Sequence, residues 1–77
     1  MQKRDYRFVV GRLRAYDGRF EVHERRDKGS HRMIYHPEIG GGKRHYPLPY
    51  HGRKTIIHTG LQKKLIRIFQ LPTNIFD

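Results

Sequence analysis

Apolar side chains near the start of the chain recur at intervals of three and four residues. This spacing places one buried stripe along a helix, and the stripe consists of Tyr6, Val9, Val10, Leu13 and Tyr16. We therefore predict a first helix between Lys3 and Tyr16, ended by Asp17-Gly18. Gly11 costs about 1 kcal/mol inside a helix relative to alanine, so the pattern requires either close backbone packing there or a different boundary.

The hydrophobic period changes to two from Phe20 onward. Phe20 and Val22 alternate with polar residues, as in a half-buried strand. Asp27-Lys28-Gly29 supplies turn residues, with Gly29 free to adopt a positive φ. A second strand follows over His31–His36 and ends at Pro37, so the two runs predict a hairpin.

A third strand is predicted over Lys43–Tyr50, after a flexible connection formed by Gly40-Gly41-Gly42. Pro47 and Pro49 alternate within this strand. Because proline lacks a backbone donor, two prolines cannot both join a sheet ladder, and the strand must lie at an edge.

A basic loop leads to a second amphipathic helix, for which Thr59 is the predicted cap and Leu71-Pro72 the predicted end. Its apolar stripe is Leu61, Leu65 and Ile68 with Phe69 beside it, and its exposed cations are Lys63, Lys64 and Arg67. Residues 73–76 form either one further turn or an ordered tail. The fold class is α+β, ordered α-β-β-β-α, with two helices packed on one face of a three-stranded antiparallel sheet in a single domain over residues 1–77.

The chain carries 17 Lys and Arg against 7 Asp and Glu, a formal charge of +10 at pH 7. Like charges at this density destabilise a compact state, and an external polyanion relieves the repulsion. The charge predicts an anionic partner: nucleic acid first, then a membrane surface or an acidic protein. Tyr35, Tyr46 and Tyr50 lie among the cations, where exposed rings would stack on unpaired bases and half-buried rings would only pack the sheet.

Cysteine is absent from the sequence, which excludes disulfides, thiol chemistry and zinc sites built on thiolates. The longest apolar stretch near the N-terminus is Phe8-Val9-Val10, too short for the core of a signal peptide. No later segment approaches a membrane-spanning length. We therefore expect a cytoplasmic protein that has no membrane partner.

Gly29-Ser30-His31 places an imidazole where a tight turn enters a strand. Histidine exchanges protons near neutral pH, and RNA cleavage needs such a group beside a strained in-line geometry. Lys28, Arg32 and either Arg25 or Arg26 would hold the scissile phosphate. His51 is a candidate second acid or phosphate ligand. The alternative is a strand histidine that only binds phosphate or water.

Residue spacing argues against two other candidate sites, a zinc site and a Walker phosphate-binding loop. His23-Glu24-Arg25-Arg26 lacks the second histidine of a metalloprotease helix, and no histidine pair has zinc-finger spacing. Gly40-Gly41-Gly42-Lys43 lacks the first glycine and the final Ser or Thr of a Walker loop, so a hairpin connection explains it better. We expect neither a metal nor another cofactor.

Four segments occur in one order along the chain: Lys28-Gly29-Ser30-His31, Tyr35-His36-Pro37, Pro49-Tyr50-His51-Gly52 and Thr59-Gly60-Leu61. In these segments, and in their approximate spacing, the sequence resembles the HicA toxins of bacterial type II toxin-antitoxin modules. The resemblance covers most of the chain, from the first helix to Phe76. A longer Phe20–Lys28 segment and the triple glycine depart from the family pattern.

The resemblance implies a fold like that of double-stranded-RNA-binding domains (dsRBD-like) and a metal-independent endoribonuclease that cleaves mRNA and inhibits growth. It also implies that His31 is catalytic and that a HicB antitoxin covers this surface. The predicted RNA contacts are Lys28, Gly29, Ser30, Arg32, Arg25, Arg26, His51 and Lys54. The alternative is a non-catalytic basic RNA-binding module. A third possibility, DNA binding, would need a helix rich in base-reading side chains, and Gln62-Lys63-Lys64 is only weak evidence for such a helix.

Overall fold

The computed structural model describes residues 1–24 and 29–77. Its described part has a three-stranded antiparallel sheet in the order β2-β3-β4 and a two-stranded sheet, β1-β5, together with two helices. The elements are β1 (Arg4–Asp5), α1 (Tyr6–Tyr16), β2 (Glu21–Glu24), β3 (His31–Ile39), β4 (Gly42–Pro49), β5 (Ile56–Ile57) and α2 (Thr59–Ile68). The predicted α+β class is confirmed, and the small β1-β5 sheet is an unpredicted addition.

Helix α1 begins later than predicted because the residues before it form a strand. Arg4 and Asp5 pair with β5, and the Asp5 carboxylate then caps the helix by accepting the Phe8 N–H at 2.8 Å. The predicted end at Asp17 is confirmed. Tyr16, at 54% exposure, does not belong to the buried stripe. A Cβ on Gly11 would meet no atom within 4 Å, so close backbone packing does not explain this glycine, and the later start of the helix still leaves it in the interior.

Strands β3 and β4 form one hairpin with a tight turn. Gly40 and Gly41 have φ angles of +60° and +93°, and two successive positive φ angles are typical of the two-residue turn that matches strand twist. The hairpin connection predicted at the three glycines is therefore confirmed, as a two-residue turn with Gly42 already in β4. The predicted end of the strand at Pro37 is wrong, because a register irregularity between His36 and Ile39 accommodates the proline.

Strand β4 lies at the edge of the sheet, as its prolines predicted. The Tyr50 N–H donates to the Ser30 carbonyl at 2.7 Å, so Tyr50 and Ser30 form a hydrogen-bonded pair. Hydrogen-bonded and non-hydrogen-bonded pairs alternate along the strands from this point. Pro47 and Pro49 therefore occupy non-hydrogen-bonded positions, and their missing donors face away from β3.

Helix α2 begins and ends earlier than the sequence pattern indicated. His58 is its N-cap and makes no side-chain capping bond, so the cap predicted at Thr59 is wrong. The helix ends at Ile68, ahead of Leu71-Pro72. Leu65 is buried as predicted, whereas Leu61 and Ile68 are only half-buried.

Gln62 takes a fully buried position on α2. Its amide nitrogen donates to the Gln2 carbonyl at 2.7 Å and to the Ile57 carbonyl at 2.9 Å. Its amide oxygen, Oε1, accepts no hydrogen bond from the described residues. The side chain therefore ties the start of the chain and β5 to α2, and it is not available to contact nucleic-acid bases.

The C-terminal segment after α2 belongs to the core. Leu71, Ile75 and Phe76 are buried with the apolar residues of both helices and of the sheet. Arg4 donates to the Phe76 carbonyl at 3.0 Å, and Arg12 donates to the Ile75 carbonyl at 2.7 Å. Of the two alternatives for residues 73–76, a turn is the one observed, with its apolar side chains packed inside.

His36 is a buried structural histidine that connects β3 to the end of α1. Its ring is fully buried, edge-on to Phe20 with 4.7 Å between the ring centroids. Its Nδ1 accepts the Glu38 N–H at 3.0 Å, so the proton of the neutral ring lies on Nε2, 2.8 Å from the Asp17 carboxylate. Asp17 also binds the Arg19 guanidinium at 2.9 Å.

We predict that Asp17 makes the fold acid-sensitive. Hydrogen bonds from the Arg19 side chain, the Arg19 N–H and His36 hold the pKa of the Asp17 carboxyl well below its ordinary value of 3.8. Because the folded-state pKa is lowered, the stabilisation is complete above pH 3.8 and is lost as pH falls through the lowered pKa. Urea unfolding measured across acidic pH should show this loss in the wild type and a reduced loss in Asp17→Asn. Asp77→Asn, at the exposed C-terminus, is the control, and an Asp17→Asn profile identical to the wild type would contradict the prediction.

Candidate functional site

His31 is the first residue of β3 and lies opposite Pro49 of β4. Successive side chains of a strand point to opposite faces, and Ile34 of β3 packs in the core, so His31 belongs to the face of the sheet that the helices do not cover. The side chain is half-buried. It lines an open pocket of about 200 Å³ together with Glu24, Gly29, Arg32 and Tyr50.

The turn before β3 orients the imidazole of His31. Its Nδ1 lies 3.1 Å from the Ser30 hydroxyl, which accepts a hydrogen bond from a protonated Nδ1 or donates one to an unprotonated Nδ1. When Nδ1 carries the proton, Nε2 has the free lone pair that a general base needs. No hydrogen bond joins Nε2 to another described residue. The predicted Ser30-His31 pair is therefore brought together in one site.

Arg32 lies beside His31 but points to the helix side of the sheet. Its guanidinium sits over the Tyr50 ring, 3.7 Å from the centroid, and binds the Glu24 carboxylate at 3.2 Å. The predicted phosphate ligand is thus held on an aromatic ring and paired with an acid. The Glu24 side chain is 80% exposed, so this pair is a weak one.

Tyr50 lines the pocket beside Arg32, and Tyr6 packs behind it. Tyr6 and Tyr50 meet edge to face with 4.7 Å between their ring centroids. Burial raises the pKa of the Tyr6 hydroxyl, against an opposing effect of the Arg32 guanidinium, so Tyr6 stays protonated near neutral pH. Sequence reasoning missed Glu24 and Tyr6 as neighbours of the site; the cross-strand pairing of Glu24 with Arg32 would have indicated the first, had the hairpin register been known.

His51 and Lys54 lie in the loop after β4, at the same end of the sheet as His31. Both are exposed, and they line an open groove of about 570 Å³ along residues 51–56. The His51 N–H donates to the Thr55 hydroxyl at 2.7 Å, which closes the loop. The residues that line this groove are distinct from those around His31. His51 is therefore a neighbouring position rather than a second wall of the same pocket.

Three of the predicted phosphate ligands, Arg25, Arg26 and Lys28, lie outside the described residues. Gly29 and Ser30 are described and form the turn that enters β3. The three tyrosines considered for base stacking are half-buried. Tyr35 stacks on His23 with 5.5 Å between the ring centroids. The Tyr35 ring is therefore occupied by packing within the sheet, whereas Tyr46 and Tyr50 line pockets.

Two further properties concern the described residues as a whole. Residues 1–24 and 29–77 contain no group of three or more His, Cys, Asp or Glu side chains arranged to hold a metal ion. No helix in the same ranges has the length and apolar character needed to cross a bilayer.

Fold and site together define a small basic α+β protein with an accessible histidine at one end of its sheet. Comparisons with protein-family models, curated proteins and solved structures found no significant match. The functional assignment therefore depends on the site itself and on the motifs of the sequence.

Proposed function

We propose that this protein is a HicA-type toxin, a metal-independent endoribonuclease that cleaves mRNA and uses His31 as its proton-transfer group. The observation that carries the proposal is the position of the His31 ring: it lines an open pocket at the end of the sheet, whereas the His36 ring is enclosed in the core. An RNA backbone can reach the first ring. The net charge of +10 supports an anionic substrate.

His31 would act through Nε2. With Nδ1 held by Ser30, Nε2 removes the proton from the attacking oxygen, which is either the neighbouring 2′-hydroxyl or a water molecule. The new P–O bond forms as the bond to the 5′-oxygen breaks, and that oxygen takes up a proton from solvent as it leaves. Arg32, already oriented on Tyr50, would exchange the Glu24 carboxylate for a phosphate oxygen and stabilise its charge.

The partner that neutralises such a toxin would be a HicB-type antitoxin. An acidic surface laid over the His31 pocket would complement the basic protein and block RNA. Binding to the folded state would also raise the melting temperature by mass action. Localisation in the cytoplasm, where mRNA is translated, belongs to the same proposal.

The activity is tested on RNA with metal-free protein in excess EDTA. We expect cleavage of a single-stranded RNA, and no cleavage at a site whose 2′-hydroxyl is replaced by hydrogen if that hydroxyl is the nucleophile. Continued cleavage at the deoxy position would assign the nucleophile to water. Salt-sensitive binding without any cleavage would favour the alternative, a non-catalytic RNA-binding module.

A further inference from the structure

A basic groove, separate from the His31 pocket and from the groove along residues 51–56, lies between α2 and the edge strand β4. Its volume is about 430 Å³, and it is lined by Tyr46, Gly60, Leu61, Lys63, Lys64 and Arg67. It shares no lining residue with the pocket of His31. Half of these lining residues are cations, and none is an acid.

The cations of this groove are available to a ligand. Lys63, Lys64 and Arg67 are exposed, and no carboxylate of the described residues forms an ion pair with them. The chain contains no acidic residue between Glu38 and Asp77, so every charged side chain of the segment that forms the groove is a cation. The groove therefore attracts an anion with several charges.

Tyr46 gives the groove an aromatic surface beside its charges. The ring is half-buried, and the Lys64 ammonium lies 5.9 Å from its centroid. Aromatic rings next to cations are the combination with which proteins hold single-stranded nucleic acid, since bases stack while cations bind phosphates. An acidic peptide would instead need an apolar anchor, and the half-buried Leu61 is the only aliphatic side chain in the lining.

The groove and the His31 pocket both border the edge strand β4. The intervening Leu48 of β4 is fully buried in the core, so RNA that reached both sites would follow the edge of β4 that pairs with no described strand, past Tyr50 in the His31 pocket and Tyr46 in the groove. The two tyrosines are four residues apart, a separation of about 13 Å in an extended strand. A strand of a few nucleotides can occupy both positions, because single-strand sites commonly extend over about 4–16 nucleotides.

We propose that the α2–β4 groove binds the sugar-phosphate backbone of the RNA strand whose scissile bond lies at His31. This inference rests on the proposed function and extends it, because it gives the substrate a second contact region away from the reacting atoms. Short RNA would reach only the His31 pocket, and longer RNA would also engage the groove.

The test is binding of a dinucleotide and of a 12-nucleotide RNA at a series of salt concentrations, in a His31→Ala background that leaves the RNA intact. In one variant, Lys63, Lys64 and Arg67 are replaced by glutamine. In the matched control, Lys3, Arg7 and Arg14, which are exposed near or on α1, are replaced in the same way. Circular dichroism and the melting temperature establish that both variants are folded.

We expect the groove variant to lower the slope of log affinity against log salt by about 2 units on the longer RNA, since each phosphate contact on a single strand contributes about 0.7. The short RNA and the control variant should show little change. Equal losses in both variants would overturn the proposal. An unchanged slope in the groove variant together with weaker binding to polyglutamate would also overturn it, in favour of an acidic protein partner.

Failure of this inference and failure of the nuclease proposal are distinguishable. RNA cleavage by the wild type with an unchanged salt slope in the groove variant would keep the nuclease and reject the groove. A groove-dependent slope without cleavage by the wild type would keep the groove as an RNA site and reject the catalytic role of His31.

Discussion

His31→Ala is expected to abolish RNA cleavage, with a rate loss of about 10²–10⁴-fold, because the variant removes the group that transfers the proton. RNA affinity should remain nearly unchanged, since the basic side chains are untouched. The fold should also survive, because His31 is only half-buried at the end of β3 and takes no part in the core. Single-turnover cleavage and filter binding on the same RNA measure the two effects separately.

The matched control for His31→Ala is His45→Ala. His45 is exposed and lies opposite Tyr35 on the adjacent strand β4, so its removal makes a similar chemical change on the same sheet. We expect wild-type cleavage from this control. Measurable cutting by His31→Ala in EDTA, or an equal loss in His45→Ala, would contradict the assignment of the catalytic group.

Phe76→Ala is expected to destabilise the fold by about 3–5 kcal/mol. The Phe76 side chain is fully buried, so its removal costs both transfer free energy and a cavity. A chain of this length has a free energy of unfolding of about 4–12 kcal/mol, so the loss takes a large share of it. Urea unfolding followed by circular dichroism measures the change.

Asn74→Ala, in the same C-terminal turn, is the control for Phe76→Ala. Asn74 is exposed, and its backbone carbonyl, which accepts the Asp77 N–H, is unaffected by the substitution. We expect a change within about 0.5 kcal/mol. If Phe76→Ala matched this small change, the C-terminal segment would not be part of the core.

The candidate site was predicted in part, and the residues show why. Gly29-Ser30-His31 is contiguous, so the sequence alone places the hydroxyl beside the imidazole, as observed at 3.1 Å. Arg32 was predicted as a free phosphate ligand. The structure pairs it instead with Glu24 on the neighbouring strand, since only the sheet register brings positions eight residues apart into contact.

The helix boundaries also depend on contacts between distant segments, which the sequence pattern does not reveal. The apolar spacing placed four of the five predicted buried side chains of α1 correctly, with Tyr16 the exception. The start of the helix depends on Arg4 and Asp5 pairing with a strand more than fifty residues later in the chain. Gln62 was considered only as a surface residue. It is buried because two backbone carbonyls from other parts of the chain satisfy its amide nitrogen.

Local properties of the sequence determined the α+β class, the edge position of β4 with its two prolines, the strongly basic surface and the candidate histidine. Hydrophobic period, backbone donors and charge act over a few residues, so each can be interpreted without the fold. Only the tertiary structure decided that Phe76 is buried, that His36 is enclosed while His31 is accessible, and that Tyr46 forms a groove with the cations of α2. These outcomes depend on which distant segments pack together, and that choice belongs to the whole chain.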